Sequence, residues 1–272
     1  MPNLRDLITA VALTLPSVCP IAWAQGPNVI EDLPDLGSAF DAAGTEGTFV
    51  IVNVSTNEAR VYNPARAAKS FPPASTFKIF NSLIALDTGV VTDTDTQVLK
   101  WDGQTRPIAA WNKDHTLRSA FAASAFPAYQ GVARQVGLER MQGYLTAIPY
   151  GAGDISSETL DVFWVMRGYT ITAWQQVDFL KRLYLNDLPF PQRVLDAVKD
   201  IAVVERGDSY VLSGKTGWTV DTDPGMGWFV GWLARGDDAY VFATNLDIFS
   251  QTQADARLGI TRQALESLGR LS

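Results

Sequence analysis

Cysteine and histidine are nearly absent from this chain. Its 272 residues contain one cysteine, Cys19, and one histidine, His115. A single histidine excludes zinc sites built from histidine clusters and the H-E-x-x-H helix of metalloproteases. A single cysteine excludes a disulfide framework. A catalytic base in this protein is therefore expected to be a lysine, an aspartate, a glutamate or a tyrosine.

Positive charge is also scarce. The chain has 22 Lys and Arg residues against 29 Asp and Glu residues, a net charge of −7. Proteins that bind nucleic acid normally carry a basic excess that neutralises phosphates, so nucleic acid is not an expected partner. No apolar run reaches the roughly 20 residues that span a bilayer, so no membrane span is expected. The hydrophobic share of 47% favours an ordinary globular protein.

The first 24 residues have the pattern of a secretory signal peptide. Arg5 precedes a mostly apolar segment, residues 8–18, and Ala22-Trp23-Ala24 forms an A-x-A processing site. Cleavage there would remove Cys19, leave residues 25–272 without cysteine and so exclude a thiol nucleophile. The sequence predicts export to the periplasm. A short N-terminal helix and a lipid anchor on Cys19 are the alternatives.

Strand-like patterns lie near both ends of the mature chain, and helix-like patterns lie between them. Residues 48–54 and 59–62 are predicted to pair, and most helix candidates fall within about 90–205. Further strands are predicted at 209–213, 228–234 and 239–245, followed by a helix over 252–271. We expect a single domain, residues 25–272, of the α/β class and more narrowly α+β. A central antiparallel sheet built from both termini would be flanked by helices, with an all-α region inserted.

Residues 75–78 (S-T-F-K) form the one S-x-x-K in the chain and open a segment with helical periodicity. Residues i and i+3 of a helix are neighbours, so Ser75 and Lys78 are expected to face the same space. Two prolines at 72 and 73 place Ser75 at the helix start, where the helix dipole favours developing negative charge. A lysine buried among aromatic rings loses its preference for the charged form and can serve as the base that a serine nucleophile needs. The alternative is an N-cap serine beside a solvated lysine.

A second segment, Lys215-Thr216-Gly217, follows a predicted strand. Its ammonium and hydroxyl groups are suited to a carboxylate. A glycine in a strand allows a ligand to approach the backbone closely. The alternative is a plain turn between two strands.

Several short segments stand in a fixed order along the chain. They are P-A-S-T-F-K-I at 73–79, W-D-G at 101–103, W-N-K-D at 111–114, S-A-F at 124–126, Y-G at 150–151, F-W at 163–164 and K-T-G-W at 215–218. Together they resemble the penicillin-recognising serine enzymes and, more narrowly, the class D β-lactamases, or oxacillinases. The resemblance covers about residues 45–270.

The resemblance implies a fold of the serine β-lactamase and penicillin-binding protein type, and hydrolysis of small-molecule β-lactams through an acyl-enzyme on Ser75. Lys78 is implied to be an N6-carboxylysine, whose carbamate, formed with CO₂, is the general base for acylation and deacylation. No metal or other cofactor is implied. Phe77, Phe126 and Trp164 would form the carbamate pocket, with the indole N–H of Trp164 donating to the carbamate. An apolar pocket of this kind favours the neutral amine that CO₂ requires.

Other residues of the same motifs imply contacts with substrate. Ser124 matches the serine that passes a proton to the leaving nitrogen, and the backbone N–H groups of Ser75 and Trp218 would form the oxyanion hole. The substrate carboxylate would be bound by the K-T-G segment together with a cationic residue of the last helix, a set comprising Lys215, Thr216, Gly217 and Arg257. An ordinary surface arginine is the alternative for Arg257.

Two positions depart from the family pattern. Phe126 replaces the usual valine of S-x-V and is expected either to tighten the carbamate pocket or to obstruct water. Ala152 replaces the usual asparagine of Y-G-N and cannot make that side chain's hydrogen bonds. His115 has no accompanying G-x-S-x-G elbow, so it is interpreted as a structural residue.

Two other functions compete with hydrolysis of β-lactams. A penicillin-binding protein that cuts peptidoglycan peptides shares S-x-x-K and K-T-G, but the Phe163-Trp164 context favours hydrolysis. A non-enzymatic β-lactam sensor domain resembles class D enzymes and stays acylated; such sensors need transmembrane helices and a cytoplasmic segment. A class A β-lactamase is disfavoured because no E-x-x-x-N lies between Ser124 and Lys215. The oligomeric state stays open between a monomer and a homodimer.

Overall fold

The computed structural model describes residues 27, 29–219 and 223–271. The predicted signal peptide, residues 1–24, lies outside the described residues. Within them the chain forms nine strands: β1 (Val29–Asp32), β2 (Gly47–Asn53), β3 (Glu58–Tyr62), β4 (Ala152–Gly153), β5 (Tyr169–Thr170), β6 (Val203–Arg206), β7 (Val211–Thr219), β8 (Gly225–Arg235) and β9 (Asp238–Ile248).

Nine α-helices are found in the same described part of the chain. They are α1 (Gly37–Ala42), α2 (Pro64–Ala67), α3 (Phe77–Asp87), α4 (Leu117–Ala122), α5 (Phe126–Val136), α6 (Leu138–Ala147), α7 (Ala173–Tyr184), α8 (Gln192–Ile201) and α9 (Gln251–Ser267). None of these helices is both long enough and apolar enough to cross a bilayer.

Seven strands form the central sheet in the order β1-β3-β2-β9-β8-β7-β6. The predicted sheet from both ends of the chain is confirmed, including the β2–β3 hairpin and the β8–β9 pair. One edge differs from the prediction, because β1 pairs with β3 in parallel. The chain reverses between β1 and β2, and it reverses again in the hairpin. β1 and β3 therefore run the same way, and β1 lies on the free edge of β3.

The inserted region is mainly helical, as predicted, and contains α4 to α8. It also includes the short pair β4–β5, in which Ala152 lies opposite Thr170. Two-residue strands are too short to show a period of two in the sequence, so this pair left no signal. Ala152 contributes its backbone to this ladder.

Helices cover both faces of the sheet because its central strands are apolar on both sides. Along β9, Val241 and Ala243 belong to one buried cluster, whereas Tyr240 and Phe242 belong to the other. This alternation follows from the period of two in a strand. The first cluster lies under α3, α5, α7 and α8, and the second lies under α1 and α9.

Helix α3 lies in the middle of the first cluster. Every residue from 77 to 86 is buried. A helix that is apolar around its circumference is stable only inside a protein. Lys78 stands in the first turn of this helix, so the fold carries an amine into the core.

Candidate active site

A cavity of about 520 Å³ opens between the start of α3, the α4–α5 connection and β7. Four lining residues carry hydroxyl groups, Ser75, Ser124, Thr216 and Thr219, and the one cationic lining residue in the described chain is Arg257. The other lining residues are Pro107, Ile108, Trp111, Ala123, Phe126, Val165, Gly217 and Trp218. The fold thus brings predicted site residues from four distant segments to one space.

Ser75 stands on a short 3₁₀ turn, Ala74–Thr76, that leads directly into α3. We call residues 72–76 the serine turn. Lys78 Nζ donates a hydrogen bond of 2.7 Å to Ser75 Oγ, as the one-turn spacing predicts. Ser75 is half-buried on the cavity wall, so its hydroxyl is open to a ligand and in contact with an amine.

The amine of Lys78 is enclosed behind that wall. Lys78 is 1% exposed, and its Nζ lies 5.8 Å from the ring centroid of Phe126 and 5.3 Å from that of Tyr129. Burial lowers the pKa of Lys78 well below its usual value, and the positive charge of Lys215 lowers it further. A buried amine in this environment favours the neutral form.

The aromatic surroundings of Lys78 include a ring that the sequence prediction did not name. Phe77, which belongs to the predicted pocket, stacks on Trp164 at 5.5 Å. Tyr129, which sequence reasoning missed, supplies the nearer ring over Nζ. Its position three residues after Phe126 on α5 was the available signal, since that spacing puts both rings on one helix face.

Trp164 is fully buried. Its ring packs against Phe77 at 5.5 Å and against Phe126 at 5.8 Å. Its Nε1 has no hydrogen-bond partner within the described chain. Buried polar groups are almost always paired, so an indole N–H left in this position indicates an acceptor that the protein atoms do not supply.

The K-T-G segment lies inside β7 rather than after a strand or in a turn. Gly217 pairs with Trp228 of β8. A Cβ atom at Gly217 would lie 3.1 Å from Pro73 O and 3.3 Å from Ala74 Cβ. The glycine therefore lets β7 pack against the serine turn, and it also lines the cavity.

Lys215 is 6% exposed and lies beside the cavity. Its Nζ donates to Thr216 O at 3.2 Å and lies 5.6 Å from the ring of Phe121. Burial lowers the pKa of Lys215 to about 7, with a further contribution from Arg257. No carboxylate neutralises this amine through an ion pair among the described residues.

Arg257 reaches the cavity from α9 and is not an ordinary surface arginine. Its guanidinium donates to the backbone carbonyls of Gly217 and Ala254 and lies 5.9 Å from the Trp218 ring. Burial lowers its pKa to about 10, while Asp255 acts in the opposite direction. Together with Lys215 it makes this wall attractive to an anion.

Ser124 occupies the connection between α4 and α5 and lines the cavity. Its φ of 51° lies in the left-handed region, which is rare for residues other than glycine. Its N–H donates to Phe121 O at 3.1 Å, which helps to hold this conformation. Strained backbone persists where the surroundings fix it, and it clusters at functional sites.

His115 lies away from the cavity. It is buried, its Nδ1 is 3.0 Å from Ser119 Oγ, and its Nε2 is 2.9 Å from Ala110 O. Both ring nitrogens therefore make hydrogen bonds to nearby residues, which agrees with the interpretation of His115 as a structural residue. Among the residues described, no group of three His, Cys, Asp or Glu side chains is arranged to hold a metal ion.

Comparison with known proteins places these features in context. Residues 47–265 match the model of the penicillin binding protein transpeptidase domain. The chain is 43% identical over 227 residues to the β-lactamase OXA-48 of Klebsiella pneumoniae, covering 84% of this chain and 85% of that protein.

Two solved structures extend the likeness. A class D β-lactamase from Nostoc superposes with a TM-score of 0.85 and 44% identity, over 87% of this chain and 99% of the other. The C-terminal domain of the BlaR penicillin receptor of Bacillus licheniformis superposes with a TM-score of 0.84 and 31% identity, over 89% and 97% of the two chains.

Proposed function

This chain belongs to the class D β-lactamase family, and from that premise we propose that it hydrolyses β-lactam antibiotics through an acyl-enzyme on Ser75. One observation carries the proposal. A buried amine whose pKa is lowered by burial lies 2.7 Å from the Ser75 hydroxyl, at the wall of a cavity large enough for a small molecule. The substrate is a small-molecule β-lactam.

In acylation, Ser75 Oγ attacks the lactam carbonyl carbon and gives its proton to the side chain of Lys78. The backbone N–H groups of Ser75 and Trp218, both at the cavity wall, donate to the oxyanion. The lactam C–N bond then breaks. The nitrogen takes a proton through Ser124, whose strained backbone holds its hydroxyl at the cavity.

Lys78 is suited to carry CO₂ as a carbamate. Carboxylation needs a neutral amine, which burial favours here. The unpaired Nε1 of Trp164, packed against Phe126 and Phe77, supplies a donor for an added anion. A carbamate on Lys78 supplies a general base of suitable strength near neutral pH. Phe77, Phe126 and Trp164 would enclose it, and no metal takes part in this scheme.

The opposite wall binds the carboxylate that β-lactams carry. Lys215 and Arg257 supply positive charge and Thr216 a hydroxyl, while Gly217 lets β7 approach the serine turn. Binding at this wall orients the lactam carbonyl toward Ser75. The substrate carboxylate therefore binds first, and the lactam ring is opened while the carboxylate is held in place.

In deacylation, water attacks the ester carbonyl of acyl-Ser75. The side chain of Lys78 takes a proton from that water, Ser75 Oγ leaves, and Ser75 recovers its proton. The ring-opened product is released as a dicarboxylate. Hydrolysis requires this second half-reaction, because without it Ser75 stays blocked after one turnover.

The BlaR likeness favours one second candidate, a penicillin receptor that remains acylated. Both functions share acylation of Ser75 and differ only in how fast the ester is cleaved. The enclosed amine of Lys78, whose pKa burial lowers, favours hydrolysis, since it places a base beside the ester. Release of the acyl group separates the two candidates.

The same premise extends to localisation. We propose that residues 1–24 are removed and that residues 25–272 act in the periplasm, supported by the A-x-A site at 22–24. Amino-terminal sequencing of protein from a periplasmic extract is expected to begin at Gln25. An intact Met1 in that extract would contradict this proposal.

Intact-protein mass spectrometry tests the proposed function. A slowly hydrolysed β-lactam is expected to add one mass equivalent, mapped to Ser75, which disappears as product accumulates. Ser75→Ala is the control and is expected to show no adduct. An adduct elsewhere would contradict the role of Ser75, and an adduct that persists on Ser75 with every β-lactam would favour the receptor.

A further inference from the structure

The serine turn is held from behind by a buried hydrogen-bond network. Thr76 Oγ1 donates to Pro73 O at 2.6 Å. Gln176, from α7, donates through Nε2 to Thr76 Oγ1 at 2.8 Å. The hydroxyl of Tyr150 lies 3.3 Å from the same oxygen. One threonine hydroxyl thus joins the serine turn to a helix 100 residues further along the chain.

This network uses the full capacity of the threonine hydroxyl. A hydroxyl has one proton to donate and two lone pairs to accept with. With the Thr76 proton on Pro73 O, the lone pairs accept from Gln176 Nε2 and from the Tyr150 hydroxyl. All three side chains are 1% exposed or less. Water therefore cannot replace a lost partner without entering the core.

The network acts on a part of the backbone that needs restraint. Ala74, directly before Ser75, has a φ of 50°, in the left-handed region. Trp228 Nε1 donates to Pro72 O at 2.9 Å, and Gly217 packs against the other side of the turn. A non-glycine residue stays in such a conformation only where its neighbours fix it. The peptide that carries the Ser75 N–H follows Ala74.

We propose that Gln176 is a positioning residue for the serine turn. By donating to Thr76 Oγ1, it keeps the Thr76 proton on Pro73 O and so holds Ser75 Oγ and the Ser75 N–H in their places at the cavity. Helix α7 can support this contact because it is anchored in the core. Its residues Val177 and Leu180, next to Gln176 and one turn further on, are buried in the first cluster. The β-lactam readout of this proposal rests on the proposed function.

Two substitutions separate this role from a merely structural one. Gln176→Met keeps the length of the side chain and removes its donor. Gln176→Glu keeps the shape and makes the donor depend on pH, because a buried carboxyl has a raised pKa and only its protonated form donates. Once ionised, the carboxylate accepts instead and competes with Pro73 O for the Thr76 proton.

Gln175→Leu is the matched control on the same helix. In the parent, Oε1 of Gln175 accepts from Thr172 N at 2.9 Å, and the backbone N–H of Gln175 donates to Thr172 Oγ1 at 3.1 Å. These bonds form the capping box of α7. Losing the side-chain part of this cap is expected to lower the thermal midpoint slightly and to leave acylation unchanged.

The experiment measures the acylation rate of Ser75 by a β-lactam under saturating bicarbonate, as a ratio to the parent at each pH. A parallel measurement follows labelling of Ser75 by a fluorophosphonate, which needs the oxyanion hole and involves no β-lactam. Gln176→Met is expected to lower both rates about tenfold at every pH, since small misplacements of reacting groups are costly. Gln176→Glu is expected to react at nearly the parental rate in acid and about tenfold more slowly in mild alkali.

Parental ratios for both Gln176 variants at every pH would overturn the proposal. A fall in the Gln176→Glu reaction rates that is the same at every pH would also overturn it, because the hydrogen bond donated by residue 176 would then not matter. A parent that reacts with the fluorophosphonate and never with β-lactams would reject the proposed function, while the labelling ratios would still decide the role of Gln176. Fully labelled protein gives the active fraction, so partial misfolding of a variant does not enter the rates.

Discussion

Two buried lysines lie beside the same cavity, one on α3 and one on β7, and they differ in their neighbours rather than in their burial. Lys78 on α3 is 1% exposed and Lys215 on β7 is 6% exposed. Burial is the main cause of the lowered pKa of each. Lys78 contacts the Ser75 hydroxyl, whereas Lys215 stands beside Thr216 and near Arg257. One is placed to accept a proton, and the other to hold an anion.

The two sites are also coupled through charge. Arg257 helps to lower the pKa of Lys215, and Lys215 helps to lower the pKa of Lys78. The positive charge of Lys215 therefore favours the neutral form of Lys78, and under the proposed function the same charge attracts the substrate carboxylate. Burial favours the neutral, reactive form of both amines, and the nearest polar group determines which role each amine can take.

Removing the amine on the α3 side is expected to have the largest effect. Lys78→Ala takes away the group next to Ser75 Oγ, and kcat should fall about a thousandfold, within the usual range for a general base. Steady-state hydrolysis together with mass spectrometry of the trapped acyl-enzyme measures this. Lys69→Ala, at an exposed lysine, is the control and should keep parental activity. Retained turnover in Lys78→Ala would show that Lys78 is not the general base.

The indole N–H of Trp164 is expected to matter almost as much. Trp164→Phe keeps an aromatic ring and removes the unpaired donor. Deacylation should slow by about 10- to 100-fold, as for other groups that support a reacting one, while substrate binding changes little. Single-turnover kinetics separate the two steps. Trp174→Phe, at a half-buried tryptophan of α7, is the control. An equal loss in binding and deacylation would contradict the assigned role.

On the β7 side, the expected effect depends on pH. Lys215 is charged below a pKa of about 7 and neutral above it, so its attraction for the substrate carboxylate weakens as the pH rises through 7. In the parent, kcat/KM should fall about tenfold for each pH unit well above that pKa. Lys215→Arg stays charged, so this alkaline limb should disappear. Lys113→Arg is the control and should keep the fall of kcat/KM at alkaline pH. If the same fall persists in Lys215→Arg, a group other than Lys215 causes it.

The smallest expected effect concerns the aromatic ring of Phe126 beside Lys78. Phe126 lines the cavity and lies over Lys78 Nζ. Phe126→Val should admit water to the amine, raise its pKa and weaken CO₂ binding. We expect the bicarbonate concentration for half-maximal activity to rise about threefold, a shift of the size that half a pKa unit produces. Phe249→Val, at an exposed phenylalanine, is the control. No shift would mean that Phe126 does not shield Lys78.

Local sequence patterns predicted the parts of the molecule that depend on neighbours in the chain. The contact between Ser75 and Lys78 follows from helical spacing, and the β2–β3 hairpin follows from alternation around a turn. Contacts between distant segments had no such signal. Gln176 meets Thr76 only because α7 packs near α3, and Gly217 is small because β7 packs on the serine turn.

The family motifs supplied what periodicity could not. Arg257 and Ser124 were assigned from the order of motifs, and the structure then brought both to the cavity. Tyr129 belongs to no quoted motif, so the motifs alone do not identify its ring over Lys78, and its spacing from Phe126 on α5 is the one local signal. The parallel edge strand β1 likewise depends on the path of the chain through α1.

Carbon-13 NMR of the enzyme equilibrated with labelled bicarbonate tests the central claim most directly. We expect one slowly exchanging carbamate resonance that is lost in Lys78→Ala and kept in Lys215→Ala, with its intensity following activity as bicarbonate is removed and restored. A resonance that survives in Lys78→Ala, or full turnover by an enzyme without any carbamate resonance, would contradict it.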